Sequence, residues 1–274
     1  MRWLLPLLLL AGLIGPAAAA PSAERWALWE RHDDANPATI DQQAWGRFLR
    51  TYLRPGADGV TRVAYAAVTP ADRTALEADL RAKAALPISR YSRREQQAYW
   101  TNLYNALTAQ VVLQHYPVES INTISLTPGL FSARGPWGKK LIEVEGTPVS
   151  LNDIEHRILR PIWRDARTHY AVNCASIGCP NLAAEPYSAA NMEALLDRGA
   201  RAYVNHPRGA RVANGRLTAS RIYDWYQADF GGNERGVVEH LGRYATPPLA
   251  QALLGVDGVS GYAYDWSLND ASRP

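Results

Sequence analysis

Ser92-Arg93-Arg94-Glu95-Gln96-Gln97-Ala98-Tyr99-Trp100-Thr101-Asn102-Leu103-Tyr104-Asn105-Ala106-Leu107 is the stretch on which the reading of the fold turns. A serine followed three residues later by a glutamate is a capping box, which satisfies amides that a helix start leaves without partners. The pattern predicts a helix running to about Tyr116 and stopping at Pro117, because proline lacks the N–H a helix needs. Leu103, Leu107, Val111 and Gln114 trace one stripe of it, and Asn102, Asn105 and Ala109 a neighbouring one. Two amides on a helix otherwise rich in large apolar groups read first as a buried pair that hydrogen-bonds loops across it. The sharper reading has Asn102 and Asn105 lining a ligand cleft, with Trp100 beside them.

On the N-terminal side, residues 24–32 and 41–52 carry tryptophan, phenylalanine and leucine at helical spacing. Pro55-Gly56-Ala57-Asp58-Gly59 reads as a turn, residues 60–68 alternate like a strand, and Thr69-Pro70 opens a helix to about residue 86. On the C-terminal side, residues 117–140 are a long irregular run, with turn signals at Thr127-Pro128-Gly129 and Gly135-Pro136-Trp137-Gly138. A hairpin follows around Glu145-Gly146, and Ser150-Leu151-Asn152-Asp153 caps a short helix ending near Arg160-Pro161. Residues 169–173 read as a strand, 191–205 as a helix, and 211–218 as a hairpin turning at Asn214-Gly215. Ser220 caps a helix ending at Gly231-Gly232, two helices cover 234–244 and 247–254, and 262–268 reads as a late strand. There is no repeat, low-complexity tract or linker. The expected fold is therefore α+β: a mainly helical single domain over 21–274, with a small antiparallel or mixed sheet that carries the 169–173 strand.

The first 20 residues read as an export signal. Arg2 precedes an apolar run from Leu4 to Ile14, Gly15-Pro16 breaks it, and Ala17 to Ala20 offer small-residue cleavage sites. That run is too short to span a bilayer, and no later stretch is apolar for about 18 residues. The expectation is a periplasmic or secreted protein with no membrane span after cleavage. A net charge of +3 argues for neither nucleic acid nor an anionic membrane surface as partner. A small-molecule or peptide ligand remains, and no cofactor is called for.

Cys174 and Cys179 are the only cysteines. They sit in Asn173-Cys174-Ala175-Ser176-Ile177-Gly178-Cys179-Pro180, shortly after His169. Five extended residues span about 17 Å, whereas a disulfide needs Cα atoms within about 7 Å, so pairing requires a turn, for which Ser176-Ile177-Gly178 is suited. An oxidising compartment favours that disulfide. The spacing is not Cys-x-x-Cys, which weakens a thioredoxin-type redox centre.

The enzyme hypothesis is a thiol-dependent hydrolase or acyl transferase on an amide-type substrate. Cys174 is its nucleophile and a histidine its base. On a straight strand His169 and Cys174 point to opposite faces, which brings His156 forward. Asn152 lies one turn before His156 as its hydrogen-bond partner. Glu155 is adjacent but about 100° away round an α-helix. Asn173 and nearby amides are candidate oxyanion donors. The alternative is a non-catalytic binding module with a structural Cys174–Cys179 disulfide. A second alternative is a zinc site drawn from Glu155, His156, His169, Cys174 and Cys179, although none of the familiar zinc spacings is present. Trp100, Tyr104, Trp225 and Tyr226 read first as core aromatics, with one or two of them as candidates to line the same cleft. His32, His115, His206 and His240 stand without a constellation.

Four stretches in order resemble one family, DUF547, a domain of unknown function. They are Ala98-Tyr99-Trp100-Thr101-Asn102-Leu103-Tyr104-Asn105-Ala106-Leu107; Ser150-Leu151-Asn152-Asp153-Ile154-Glu155-His156 with Leu159-Arg160-Pro161; His169-Tyr170-Ala171-Val172 leading into the cysteine segment; and Trp225-Tyr226 with Asp229-Phe230-Gly231. The resemblance spans roughly residues 60–235. It brings no established activity. In some eukaryotic members the domain is joined to glutaredoxin-like, DEP or leucine-zipper regions, which points to thiol chemistry or scaffolding.

Overall fold

The computed structural model describes residues 21–126 and 135–273. The export signal and the Thr127-Pro128-Gly129 turn lie outside the described residues. The class is the expected one, mainly helical α+β with small sheets.

The N-terminal part packs three helices. α1 (Gln43–Tyr52) buries Trp45, Phe48, Leu49 and Tyr52 on one face. α2 (Pro70–Ala84) starts with Thr69 accepting the Asp72 amide and with proline at its first position. α3 (Arg93–His115) is the helix anticipated from the capping box, and Ser92 accepts the Glu95 amide. The Glu95 carboxylate takes the Ile40 amide at 3.2 Å, which ties the preceding chain to the helix start. α3 is enclosed on all sides from Glu95 to Ala109, the condition of a helix at the centre of a core. Gln114, placed on the apolar stripe, is exposed.

The sheets are small. β1 (Leu53–Pro55) pairs antiparallel with β2 (Thr61–Val63), and β3 (Ile142–Val144) with β4 (Thr147–Val149). A π-helix, Asp153–Leu159, then runs without a break into α4 (Arg160–Trp163). α5 (Thr168–Ala171) and α6 (Met192–Val204) follow. β5 (Ala210–Ala213) and β6 (Arg216–Ser220) form the hairpin predicted at Asn214-Gly215, and β7 (Gly261–Ala263) joins β6 in parallel. Between β6 and β7 lie α7 (Arg221–Trp225), α8 (Glu234–Tyr244) and α9 (Pro247–Leu253).

Several expectations are corrected. The helix over 24–32 is a single 3₁₀ turn, Ala27–Glu30, and the strand over 60–68 is cut short by another, Tyr65–Ala67. Residues 169–173 are not a strand: α5 occupies the position, and only Val172 onward is extended. The run is apolar on every side because it joins three packing clusters. Tyr170 enters one with Phe230, Ala171 another with Leu196, and Val172 the main core around α3. A short run buried all round has no period that separates strand from helix. His240 does have a constellation. It lies in the cluster of Tyr170, Tyr223 and Phe230, with its Nε2 2.8 Å from the Tyr170 hydroxyl. Among the described residues no helix is long and apolar enough to cross a membrane.

Candidate functional site

The cysteine segment leaves α5 as a tight loop held from within. Cys174 and Cys179 form a disulfide with Cα atoms 6.1 Å apart, and the Cys179 amide closes the turn on the Ser176 carbonyl at 3.1 Å. Ala175 adopts φ 57°, a left-handed conformation uncommon for a residue with a Cβ. Asn173 explains how it is kept. Its side chain accepts the Ala175 amide at 2.8 Å and donates to the Pro180 carbonyl at 2.7 Å. α3 fixes the start of the loop, where Asn105 bonds both the Ala171 carbonyl and the Asn173 amide. Asn102 does the same for Tyr187, bonding its carbonyl and its amide. All three asparagines are thus spent on backbone groups. The oxyanion role for Asn173 and the cleft role for Asn102 and Asn105 give way to bracing. Trp100 is packed between Trp29 and Tyr99 in the core, away from the loop.

The far side of the loop is flanked by the C-terminal segment. Ile177 and Gly178 donate their amides to Ser267 and Asp265, each at 2.8 Å. This extended pairing sets Tyr264 and Trp266 beside the disulfide. The Tyr264 hydroxyl is 3.0 Å from Cys174 Sγ and 3.0 Å from Ser176 Oγ. Trp225, at the end of α7, completes a wall with ring centroids 4.9 Å from Tyr264 and 5.5 Å from Trp266.

Opposite the wall stands the π-helix. Its i→i+5 bonding, seen in the Arg160 amide reaching the Glu155 carbonyl, gives a wider turn than an α-helix. Glu155 and His156 therefore both face the same cavity, which corrects the α-helical argument that set them apart. The Glu155 carboxylate lies 4.0 Å from His156 Nδ1 and 3.8 Å from His169 Nδ1, beyond hydrogen-bond range of each. His156 is not partnered by Asn152. Arg160 Nη1 donates to its Nδ1 at 3.0 Å, which fixes that nitrogen as an acceptor. Burial, with Arg160 adding to it, holds the His156 pKa below that of a free imidazole despite the opposing pull of Glu155.

His169 is held by Asp229, with Nε2 2.7 Å from Oδ2, and stacks on Tyr226 at 4.3 Å and 17°. Asp229 also receives Arg160 Nε at 2.6 Å. Burial alone would raise the Asp229 pKa. The bonds from His169 and Arg160 outweigh it and bring the carboxyl down to about 2. The guanidinium of Arg160 lies 4.6 Å over the Tyr226 ring, so that ring is held on an ion-paired base.

These groups enclose a cavity of about 460 Å³. His156, His169, Glu155, Asn152, Cys174 and Cys179 all border it, whereas Asn102, Asn105, Asn173 and Trp100 do not. Sequence reasoning missed Tyr264 and Trp266 as lining groups, read Tyr104, Trp225 and Tyr226 first as core and only second as cleft residues, and passed over Asp229 and Arg160 as supports. Asp229, Trp225 and Tyr226 stood inside a quoted motif, which was the available signal. The nucleophile assignment is corrected as well, because the Cys174 sulfur is bonded to Cys179. The same bond removes two donors from the zinc alternative, and among the described residues no group of three or more His, Cys, Asp or Glu is arranged to hold a metal ion. A second hollow of about 580 Å³, between α4 and α8, is polar and opens on Arg164, Arg235 and Arg243.

The fold and site thus define a helical α+β protein with a disulfide-bordered, aromatic-walled cavity. Residues 88–204 match the family model described as "Protein of unknown function, DUF547", which supports the resemblance seen in the motifs. Neither the curated proteins nor the solved structures yield a match.

Proposed function

We propose that the protein is an exported binding module, one domain over residues 21–274. Its aromatic-walled cavity takes a small molecule or a group of a peptide, and its disulfide braces the site. The observation that carries this reading is the cavity itself. Its volume of about 460 Å³ falls within the range of ligand pockets, and its make-up, apolar and aromatic walls with a few convergent polar groups, is theirs too. Export to a periplasmic or extracellular setting is supported by the leader-like first 20 residues together with the disulfide. The test is a thermal-shift screen of small aromatic and peptide ligands against wild type and Trp266→Ala. Ligands that stabilise the first and not the second support the reading. A screen in which every hit acts equally on both overturns it.

A second reading, hydrolysis of an amide-type ligand by acid–base chemistry, is favoured by one observation: His169 borders the cavity while its Nε2 is held by Asp229. A histidine oriented by a carboxylate is the arrangement of a general base. In this reading water replaces the thiol as nucleophile. Loss of peptide turnover in His169→Gln with ligand binding kept is the expected result, and an unchanged rate excludes it.

A further inference from the structure

We infer that the ligand is an organic cation, an ammonium group carried on an apolar body, received by Glu155 beneath the rings of Trp225, Tyr264 and Trp266. The inference rests on the binding reading above and names the chemistry of its ligand.

Among the described residues that border the cavity, Glu155 is the only one of the Asp, Glu, Lys and Arg type. Its side chain is 9% exposed. No lysine or arginine nitrogen of the described residues lies within 4.0 Å of its carboxylate; its neighbours are the two histidines and the phenol of Tyr104, which hydrogen-bonds it without bringing a charge. His156 offers no positive charge, since its Nδ1 accepts from Arg160. His169 directs its donor to Asp229, 2.7 Å away. Arg160 and Asp229 are paired with each other at 2.6 Å and do not border the cavity. The phenols of Tyr104, Tyr226 and Tyr264 stay protonated, burial pushing each well above the ordinary range. Glu155 is thus the one charged side chain of the lining among the described residues, and a buried carboxylate is costly until a cation meets it.

The wall fits the same ligand. Tyr264 and Trp266 lie 4.7 Å apart at 55°, and Trp225 meets Trp266 at 33°. All three rings border the cavity, and aromatic faces, indole above all, attract ammonium groups. Two neighbouring rings already hold cations in this way, Tyr226 under Arg160 at 4.6 Å and Trp26 under Arg157 at 4.2 Å. An anionic ligand meets repulsion from Glu155. A neutral one leaves that carboxylate without a countercharge.

The test is calorimetric titration of the full mature protein with three probes of one shape: benzyltrimethylammonium, benzyl alcohol and benzoate. The expected result is binding of the ammonium about tenfold tighter than the alcohol, with benzoate weakest. Glu155→Gln then removes most of the preference for the ammonium over the alcohol. If the alcohol or benzoate binds wild type as tightly as the ammonium, the cation inference falls while the binding reading stands. If none of the three binds, both fall. The wild-type comparison decides the matter even where the Glu155 variant fails to fold.

Discussion

Gly178 rests against the backbone of Asp265 with no space for a side chain. A Cβ on residue 178 would lie 2.8 Å from the Asp265 nitrogen and 2.9 Å from its carbonyl oxygen. Both are backbone atoms, so neither can swing aside. This approach lets the cysteine loop pair with the strand that delivers Tyr264 and Trp266.

Gly178→Ala is therefore expected to destabilise the protein by about 1–3 kcal/mol, the usual cost of forcing extra atoms into a packed site. Tryptophan emission should shift as Trp266 moves. Gly242→Ala is the control. It lies within α8, where nothing stands within 4 Å of the added methyl, and is expected to raise stability by about 0.5–1 kcal/mol. Urea denaturation of the two variants checks both signs.

The disulfide closes a short loop, so its loss is expected to cost about 2 kcal/mol. The native protein should show no titratable thiol, and two after reduction and unfolding. Two reactive thiols in the native protein would contradict the bond seen between Cys174 and Cys179.

Asp229→Asn is expected to lower stability by about 3–5 kcal/mol, because it leaves buried Arg160 without its carboxylate. His169 should lose its fixed orientation as well. The exposed Arg221–Asp224 pair provides the contrast: Asp224→Asn should change stability by less than about 1 kcal/mol. Chemical denaturation of both variants measures the difference.

His240 makes stability sensitive to mild acid. Burial, aided by Arg243, lowers its pKa from 6.5 to about 4 in the folded protein. The unfolded chain binds a proton near pH 6.5 and the folded one does not, so stability is full above that pH. It declines as pH falls from 6.5 towards 4, by about 3 kcal/mol in all. His156, also lowered, acts in the same direction, and Asp229 adds a further loss as pH falls from 3.8 towards 2. His240→Gln should flatten the upper part of this decline in denaturation curves taken between pH 7 and 4.

The parts of the site that the sequence reveals are those made by neighbours in the chain. The cap on α3, the hairpin at Asn214-Gly215 and the Cys174–Cys179 turn each depend on residues a few positions apart. Asn102 and Asn105 stood out because amides on an apolar helix must find partners, and they find them in the loops at Tyr187, Ala171 and Asn173. Contacts formed across the chain had no such signal. His169 meets Asp229, and Cys174 meets Tyr264, through tertiary packing alone. Glu155 was misplaced for a different reason. Positions counted at the α-helical angle do not describe a π-helix, and nothing in Asp153-Ile154-Glu155-His156 announces one.

The acidic and histidine side of the cavity, with the disulfide, lies inside residues 88–204, while Trp225, Tyr226, Tyr264 and Trp266 lie beyond them. A fragment cut at the boundary of the matched region would keep the floor and lose the wall. Expression of that piece alone would yield a shallower, more wetted groove without its aromatic side. Conversely, exchanging only the residues that follow position 220 would retune what the chamber admits, with the ion-bearing helix and the bonded loop left as they are.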